Sequence, residues 1–391
     1  MRSYLRVYEP DFGQEERSAV MRHFAIDELI TAGKHVAKFE QDFAKYHNRR
    51  FATMTNSGSS ALLLAIAAMK WAPGDRIITP ACTFPTSISP LLHFGLVPVF
   101  VDIDIETLNV SLAKLFDAVS RTPGVTGAVL PHTLGNPLHP KAFDPFRLSV
   151  EDVCDAFGSR IDGDLCGTFG EASTFSFYPA HHITTGEGGM VLTGNPHIGK
   201  AVESMCSWGR DCYCKPGYDD TCCNRFGYQV DGVDWDHKYL FTHAGFNLKP
   251  LDLSGVLGNV QLAKAEGYRK IRKRNFRYIR RRLAEIEDAL YLPVWEKEAE
   301  PNWFAYPVTL KRGNRKDICQ RLETKGIATR LLFAGNLARQ PMMKGYKYID
   351  YGLENTDYAM RNTFLVGCHQ MITEEECEYI ANTVAEEVVV G

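Results

Sequence analysis

The first 110 residues alternate short apolar runs with helix-spaced stretches, and this alternation restricts the possible folds more than any other feature of the chain. Phe39 to Tyr46 and Ser60 to Met69 carry apolar residues at helical spacing, whereas Arg76-Ile-Ile-Thr79 and Val97-Pro-Val-Phe-Val-Asp102 read as buried strands. Val125-Thr-Gly-Ala-Val-Leu130 and Thr174-Phe-Ser-Phe177 add further short apolar strands. An apolar strand needs cover on both faces, so strands alternating with helices predict an α/β fold built on a parallel or mixed sheet. At 391 residues the chain exceeds one ordinary domain, and a second lobe is expected.

The rhythm breaks over residues 206–247, which are rich in Cys, Asp, Gly, Tyr and Asn and have little periodicity. An irregular stretch of that length inside a compact chain is usually functional. Leu253 to Leu290 is strongly helical and is expected to lead into a smaller C-terminal lobe. There, Trp303 to Leu310 and Ala328 to Phe333 read as strands, and Thr373 to Val388 as a closing helix with an acidic first turn. The expected division is a large domain over 1–265, with a cysteine-rich insertion near 206–240, and a small domain over 266–391. Asn136 to Arg147 is too proline-rich for a full helix.

Charge argues against polyanion partners. The net charge is −3, and the densest basic run, Arg269 to Arg274 continuing to Arg282, reads as the solvated face of a helix without interleaved stacking aromatics. The N-terminus lacks the apolar run of a signal peptide, and no window approaches about 18 consecutive apolar residues. No nucleic-acid partner, no membrane span and a cytoplasmic location are the expectations. In a reducing compartment the 11 cysteines are not expected to form a disulfide framework. Six are scattered, and five crowd between Cys206 and Cys223.

Three segments carry chemistry. Thr55-Asn-Ser-Gly-Ser-Ser-Ala-Leu62 opens a helix with small and hydroxyl residues, so its free N–H groups can receive an anion; an ordinary helix cap explains it about as well. Val150-Glu-Asp152 sets a carboxylate at a strand end. Phe175-Ser-Phe-Tyr-Pro-Ala-His-His-Ile-Thr-Thr-Gly-Glu-Gly-Gly189 follows the next strand.

Together these segments resemble the DegT/DnrJ/StrS sugar aminotransferase family, over nearly the whole chain. The resemblance implies an aspartate-aminotransferase-like, fold type I large domain with a mixed seven-stranded sheet, plus a smaller C-terminal α/β domain. It implies pyridoxal phosphate (PLP) or pyridoxamine phosphate (PMP) as cofactor. Carried over position by position, Gly58, Ser59 and Ser176 hold its phosphate, Phe84 stacks on its ring, and Asp152 pairs with its ring nitrogen. Asn247 matches a residue that reaches the phosphate from a neighbouring subunit, which implies a homodimer.

One position departs from the aminotransferases. Where the family strand reads Ser-Phe-(His/Tyr)-Pro-x-Lys, this chain has His181 in place of the lysine to which the cofactor attaches. An imidazole cannot hold an aldehyde cofactor covalently, but its usual pKa of about 6.5 suits a general base. Pro-Ala-His-His-Ile-Thr resembles the family's sugar 3-dehydratases, which act on nucleotide-linked 4-keto-6-deoxyhexoses. Asp155 and Tyr178, also at departing positions, are expected to tune proton transfer beside His181. Arg330, Phe333, Asn336 and Arg339 lie in a stretch resembling the dehydratase substrate site. No Gly-x-Gly-x-x-Gly is present, so the substrate arrives already carrying its ketone.

The cysteines separate dehydratase types. Cys154, Cys212, Cys214 and Cys222 are separated by 57, one and seven intervening residues, which resembles the iron–sulfur CDP-4-keto-6-deoxy-D-glucose 3-dehydrase type. That resemblance implies a [2Fe-2S] cluster on these four thiolates. A flavin/iron–sulfur reductase would then serve as electron donor. Cys223 is an alternative fourth ligand. The rival readings are a cluster-free, glutamate-coupled dehydratase and a non-catalytic cofactor-binding partner subunit with structural zinc.

Overall fold

The computed structural model describes residues 2–26, 30–214 and 220–390. Its centre is an eight-stranded mixed sheet in the order Phe51–Thr55, Gly189–Thr193, Ala172–Ser176, Ser149–Asp152, Val125–Pro131, Arg76–Pro80, Val97–Val101 and Ile349–Asp350. Only Gly189–Thr193 runs antiparallel to its neighbours; every other pairing is parallel. Seven of the strands form the expected sheet. The eighth is a two-residue edge supplied by the C-terminal half, Ile349 lying opposite Val99.

With the helices numbered in chain order from α1 (Gln14–Ala25), and α5 at Leu112–Arg121, both faces are covered. On one, α3 (Gly58–Ala68), α4 (Pro85–His93) and α6 (Pro196–Cys206) bury Leu64, Ile88, Leu91 and Val202 against the sheet. On the other, α2 (Lys34–Tyr46) sets Phe39 and Phe43 against Phe175 and Phe177, with Tyr268 of α7 (Asp252–Leu283) beside them. These rings meet edge-on at centroid distances of 4.8–5.7 Å, a geometry that adds to the area they bury.

The 32-residue α7 passes from this core into a second one. There Phe276, Ile279 and Leu283 pack with a four-stranded antiparallel sheet ordered Leu290–Tyr291, Tyr306–Leu310, Thr363–Val366 and Arg330–Leu331, and with the C-terminal helix Glu374–Val390. Leu5 and Val7 join the same core, and Leu5 bridges Ile327. The chain therefore crosses between lobes four times, since residues 337–353 return to the large core before Ala359 rejoins the second, and residue 265 falls inside a continuous helix. Asn136–Arg147 holds only the single 3-10 turn Pro140–Ala142, as its prolines require.

Two sequence expectations change. The basic run on α7 is not solvated throughout: Arg272 is 1% exposed and heads the fully buried side chains by size. The 206–247 stretch is irregular but contains a hairpin, Tyr228–Val230 paired with Val233–Trp235. Asp231 and Gly232 turn it with φ of +51° and +78°, the two positive values a tight primed turn requires. An Asp-Gly pair between apolar residues was the available signal.

Candidate active site

Asp152 ends a central parallel strand, and the carboxyl ends of parallel strands are where α/β sheets open onto ligands. It is 6% exposed. Its Oδ2 accepts a hydrogen bond from Ser87 Oγ at 2.7 Å, and its Oδ1 accepts one from the Cys154 N–H at 3.1 Å. Ser87 lies on α4, whose capping residue Phe84 stands 55% exposed before Pro85. The next loop over, Ser59 Oγ donates to Thr86 Oγ1 at 2.9 Å. Gly58 presses against Ser176; a Cβ there would fall 2.5 Å from that of Ser176. The α3 N-terminus is capped by Ser57 Oγ, which accepts from the Ser60 N–H at 3.1 Å.

These contacts bring Gly58, Ser59, Phe84, Asp152 and Ser176 together at the carboxyl ends of the sheet's strands. A helix N-terminus with hydroxyls, an open aromatic face and a fixed carboxylate match the needs of a phosphorylated pyridine ring. The donor set fits PLP or PMP. Ser87 and Thr86 complete it, and neither was singled out by sequence; the Pro-Thr-Ser opening of α4 was the only cue.

His181 follows the 172–176 strand in a turn closed by its N–H donating to Tyr178 O at 3.0 Å. Its Nδ1 is buried without a hydrogen-bond partner and lies 3.5 Å from Asp155 Oδ1, too long for a bond. Both side chains are about one-seventh exposed, at 14% and 15%. Burial, with Arg272 adding to it, lowers the His181 pKa to about 3. Burial and the neighbouring Asp152 charge raise Asp155 to about 8. Near pH 7 the pair is therefore neutral, with the proton on the carboxyl. The pair is not a salt bridge.

Arg272 sets the wall behind this pair. Its guanidinium donates to Gln370 Oε1, Trp303 O and Phe304 O at 2.8, 3.2 and 3.1 Å. The Phe304 ring in turn lies 5.4 Å from that of His181. His182 Nε2 meets Asn302 O at 2.7 Å. The segment 302–304 thus braces both histidines from the C-terminal lobe. Tyr178 is 43% exposed, and charge repulsion from Tyr8, with a hydrogen bond to it, raises its hydroxyl pKa. Tyr8 brings the N-terminal segment to the site, a contact no local pattern announces.

The dehydratase-like stretch is placed unevenly. Arg330 is exposed and turns back on Thr329 O at 2.7 Å. Phe333, at φ +45°, packs on the C-terminal core. Asn336 is fully buried: its Oδ1 caps Ala338 N–H at 3.0 Å and its Nδ2 donates to Asp357 at 2.8 Å. Both ends of that amide are committed to the fold, leaving little for a substrate. Arg339 pairs with the same Asp357 at 3.0 Å. Asn247 is exposed, with its Oδ1 accepting from Lys249 at 2.7 Å.

The four expected metal ligands fall in two places. Cys212, Cys214 and Cys222 gather on the irregular stretch, Cys214 sharing thiol hydrogen bonds with the other two. A hydrogen bond from Thr221 lowers Cys214 to about 7. Cys154 instead faces Asp152 and Thr174, and burial with the Asp152 charge holds its pKa well above the usual thiol value. Among the described residues no three thiols lie within 4.8 Å of one another. The trio fits a metal centre in donor type; the fourth ligand is not gathered with it.

The family model of the DegT/DnrJ/EryC1/StrS aminotransferases matches residues 10–385. A dTDP-4-dehydro-2,6-dideoxy-D-glucose 3-dehydratase of Saccharopolyspora spinosa is 40% identical, the match covering 95% of this chain and 84% of that one. The lipopolysaccharide biosynthesis protein RfbH of Salmonella typhimurium is also 40% identical, over 94% of this chain and 88% of its own. Among solved structures, the Escherichia coli GDP-4-keto-6-deoxy-D-mannose-3-dehydratase with bound hydrated PLP superposes with a TM-score of 0.86 at 28% identity, over 98% of this chain and 100% of that one. With the cofactor cradle built from its own residues and a fold type I core beneath it, the chain belongs to the DegT/DnrJ/EryC1/StrS aminotransferase family.

Proposed function

We propose that this chain is a PLP/PMP-dependent 3-dehydratase of a nucleotide-linked 4-keto-6-deoxyhexose. The observation that carries this reading is His181, a neutral imidazole where the aminating members carry lysine, in a chain that keeps Gly58, Ser59, Ser176 and Asp152 at the family's cofactor positions. The 3-dehydratase names of a 40% identical relative and of a structurally similar protein support it.

A PMP held there would supply an amine for the C4 ketone and an electron-withdrawing ring that eases departure of the C3 hydroxyl. Gly58, Ser59 and Ser176 offer donors to its phosphate, and Ser87 holds Asp152 toward its ring nitrogen. His181 is the base. Its buried Nδ1 faces Asp155, which leaves Nε2 as the ring nitrogen able to take a proton. For Nε2 to accept, Nδ1 must carry the hydrogen, and an ionised Asp155 is the acceptor that favours that tautomer. Phe304 and Arg272 keep the ring in place and limit water behind it. The test is turnover of a nucleotide-linked 4-keto-6-deoxyhexose with PMP and glutamate. Loss of C3 deoxygenation in His181→Asn, with PMP still bound, is expected; undiminished turnover refutes the base assignment.

The cluster-free, glutamate-coupled form of this reading fits the comparisons better. The [2Fe-2S] form, with a separate reductase, retains one specific observation, the trio of thiols around Cys214. Anaerobic purification with iron analysis separates them: iron at two per chain with turnover requiring a reductase favours the cluster, and iron-free turnover on glutamate favours its absence. A homodimer accompanies either form, because the exposed Asn247 matches a family residue that reaches the phosphate from a neighbouring subunit; sedimentation at micromolar concentration checks it.

A further inference from the structure

We propose that His23, His35 and Asp252, none of which belongs to the cofactor cradle or the thiol trio, form a site for one zinc-type divalent cation where three helices meet. His23 stands in the last turn of α1, His35 in the first turn of α2, and Asp252 opens α7. Each offers one ligand atom, and these atoms all lie within 4.8 Å of one another. His23 and Asp252 are buried, and His35 is half-buried.

The fold aims the carboxylate. Asp252 Oδ1 accepts from the Gly33 and Val36 N–H groups at 2.8 and 2.9 Å, whereas Oδ2 receives only the long 3.4 Å contact from the His35 N–H. The approach is tight: a Cβ on Gly33 would stand 3.2 Å from Asp252 Cγ, and one on Gly255 would fall 2.3 Å from Val36 N. Backbone bonds of this kind are the usual outer support of a metal-binding carboxylate. Capping of α2 accounts for Oδ1. It does not account for Oδ2, or for two imidazoles brought to it with their rings edge to face at 5.4 Å.

The donor set selects the ion. Two imidazole nitrogens and one carboxylate oxygen suit zinc and its transition-metal neighbours, whereas magnesium and calcium favour shells of oxygen. Three protein ligands with water as the fourth make a tetrahedral zinc shell. Zinc–ligand bonds of about 2.0–2.2 Å set neighbouring ligand atoms about 3.4 Å apart, so side-chain rotations of about an ångström close the set. Burial lowers the His35 pKa, which keeps that ring in the neutral form that binds metal. The positive ends of α2 and α7 oppose a cation, and the Asp252 carboxylate and the negative end of α1 offset them. A cation here would clasp the end of α1, whose Glu16 already accepts from Gln261 and Lys264 of α7 at 2.8 and 2.9 Å.

Equilibrium dialysis of the full chain against zinc tests the proposal, with Cys212, Cys214 and Cys222 replaced by serine so that the thiols do not compete. One zinc per chain is expected, with a rise in melting temperature, because a ligand of the folded state alone stabilises it. Cobalt added to the unmodified chain separates the two places by spectrum: thiolates give charge-transfer bands, and this site gives only the weak visible bands of nitrogen and oxygen ligation. His23→Gln and His35→Gln are each expected to weaken zinc at least about tenfold, since losing even an outer partner of a metal ligand costs that much. Each should also lose the melting shift at the zinc concentration that saturates its parent. Asp252→Asn removes a ligand and a cap together, so the half-buried His35 supplies the variant expected to fold as its parent does. Folded His23→Gln and His35→Gln chains that bind zinc as their parent does overturn the proposal. Absence of saturable zinc at micromolar metal in the serine-substituted chain, with no weak visible cobalt bands in the unmodified one, overturns it equally. Neither cofactor nor keto-sugar enters these titrations, so their outcome is independent of the dehydratase reading.

Discussion

The wall around His181 and the stretch carrying Cys212, Cys214 and Cys222 are both rich in groups that ionise, but opposite conditions set their chemistry. In the wall, burial dominates: His181 falls to about 3, Asp155 rises to about 8, and Arg272 keeps its charge with only neutral acceptors around it. On the stretch the thiols are partly exposed, and mutual hydrogen bonds with Thr221 govern them. A buried group is tuned by the fold alone and is ready before any ligand arrives. An exposed thiol cluster has little in the fold to hold it and is completed by what binds it. The difference teaches which part of the site is preorganised and which is assembled.

The comparison breaks first at His181. If the wall is a preorganised base, His181→Asn lowers kcat by about 10²–10⁴-fold, the range of general-base contributions, while thermal stability is little changed. The next largest effect lies behind it. Arg272→Met leaves Trp303 O, Phe304 O and Gln370 Oε1 without their donor, each such loss costing about 1–3 kcal/mol, but it also removes the cost of a buried charge. A net destabilisation of about 2 kcal/mol is expected by urea unfolding, with a lower kcat because Phe304 no longer braces the imidazole. A variant as stable as the parent would show that the wall does not depend on its buried cation.

Legibility followed the same division. The strand–helix alternation exposed a parallel or mixed sheet covered on both faces, since apolar runs buried on both faces admit few alternatives, and the family resemblance narrowed it to fold type I. Asp152, Gly58, Ser176 and His181 could be proposed from the sequence because the motifs that carry the family resemblance lie at strand ends and helix starts. Arg272 was misjudged: of the six residues from Arg269 to Arg274 five are basic, the run reads as a solvated face, and nothing local says which of the five cations turns inward. Phe304, Tyr8 and Ser87 reach the site from 123, 173 and 94 residues away from His181, distances that no periodicity spans. Cys154 shows the limit from the other side. Its spacing to the other cysteines suggested one centre, yet its strand fixes it on the cofactor wall.

A smaller effect tests the pH setting of the wall. Asp155 has a folded pKa raised from 3.8 to about 8, so the folded chain holds a proton that the unfolded chain releases between those values. Its contribution to stability therefore falls as pH rises through that window. Asp155→Asn cannot ionise, and it is expected to gain on the order of 1–2 kcal/mol over the parent at pH 8, less than the full shift implies because relaxation offsets part of it. The parent's turnover should rise with pH toward about 8 as Asp155 ionises and favours hydrogen on Nδ1 of His181; Asp155→Asn should lose that limb. Equal melting temperatures and equal pH profiles in the two proteins would remove Asp155 from the tuning.

The smallest energetic effect distinguishes the two thiol environments. Replacing an exposed thiol by a hydroxyl removes almost no buried surface, so Cys214→Ser should change stability by less than about 0.5 kcal/mol. Reactivity is where the regions part. Cys214, lowered to about 7, is substantially thiolate at neutral pH, whereas burial and the Asp152 carboxylate keep Cys154 protonated. Brief alkylation of the native chain with iodoacetamide at pH 7.5, read by peptide mass spectrometry, should modify Cys214 first and Cys154 last. Labelling of Cys154 at the rate of Cys214 would end the contrast between wall and stretch. Anaerobic incubation with iron and sulfide sharpens it further: if one cluster joins the two regions, Cys154, Cys212, Cys214 and Cys222 become protected together, whereas protection of the trio without any change at Cys154 means that the centre forms on the stretch alone.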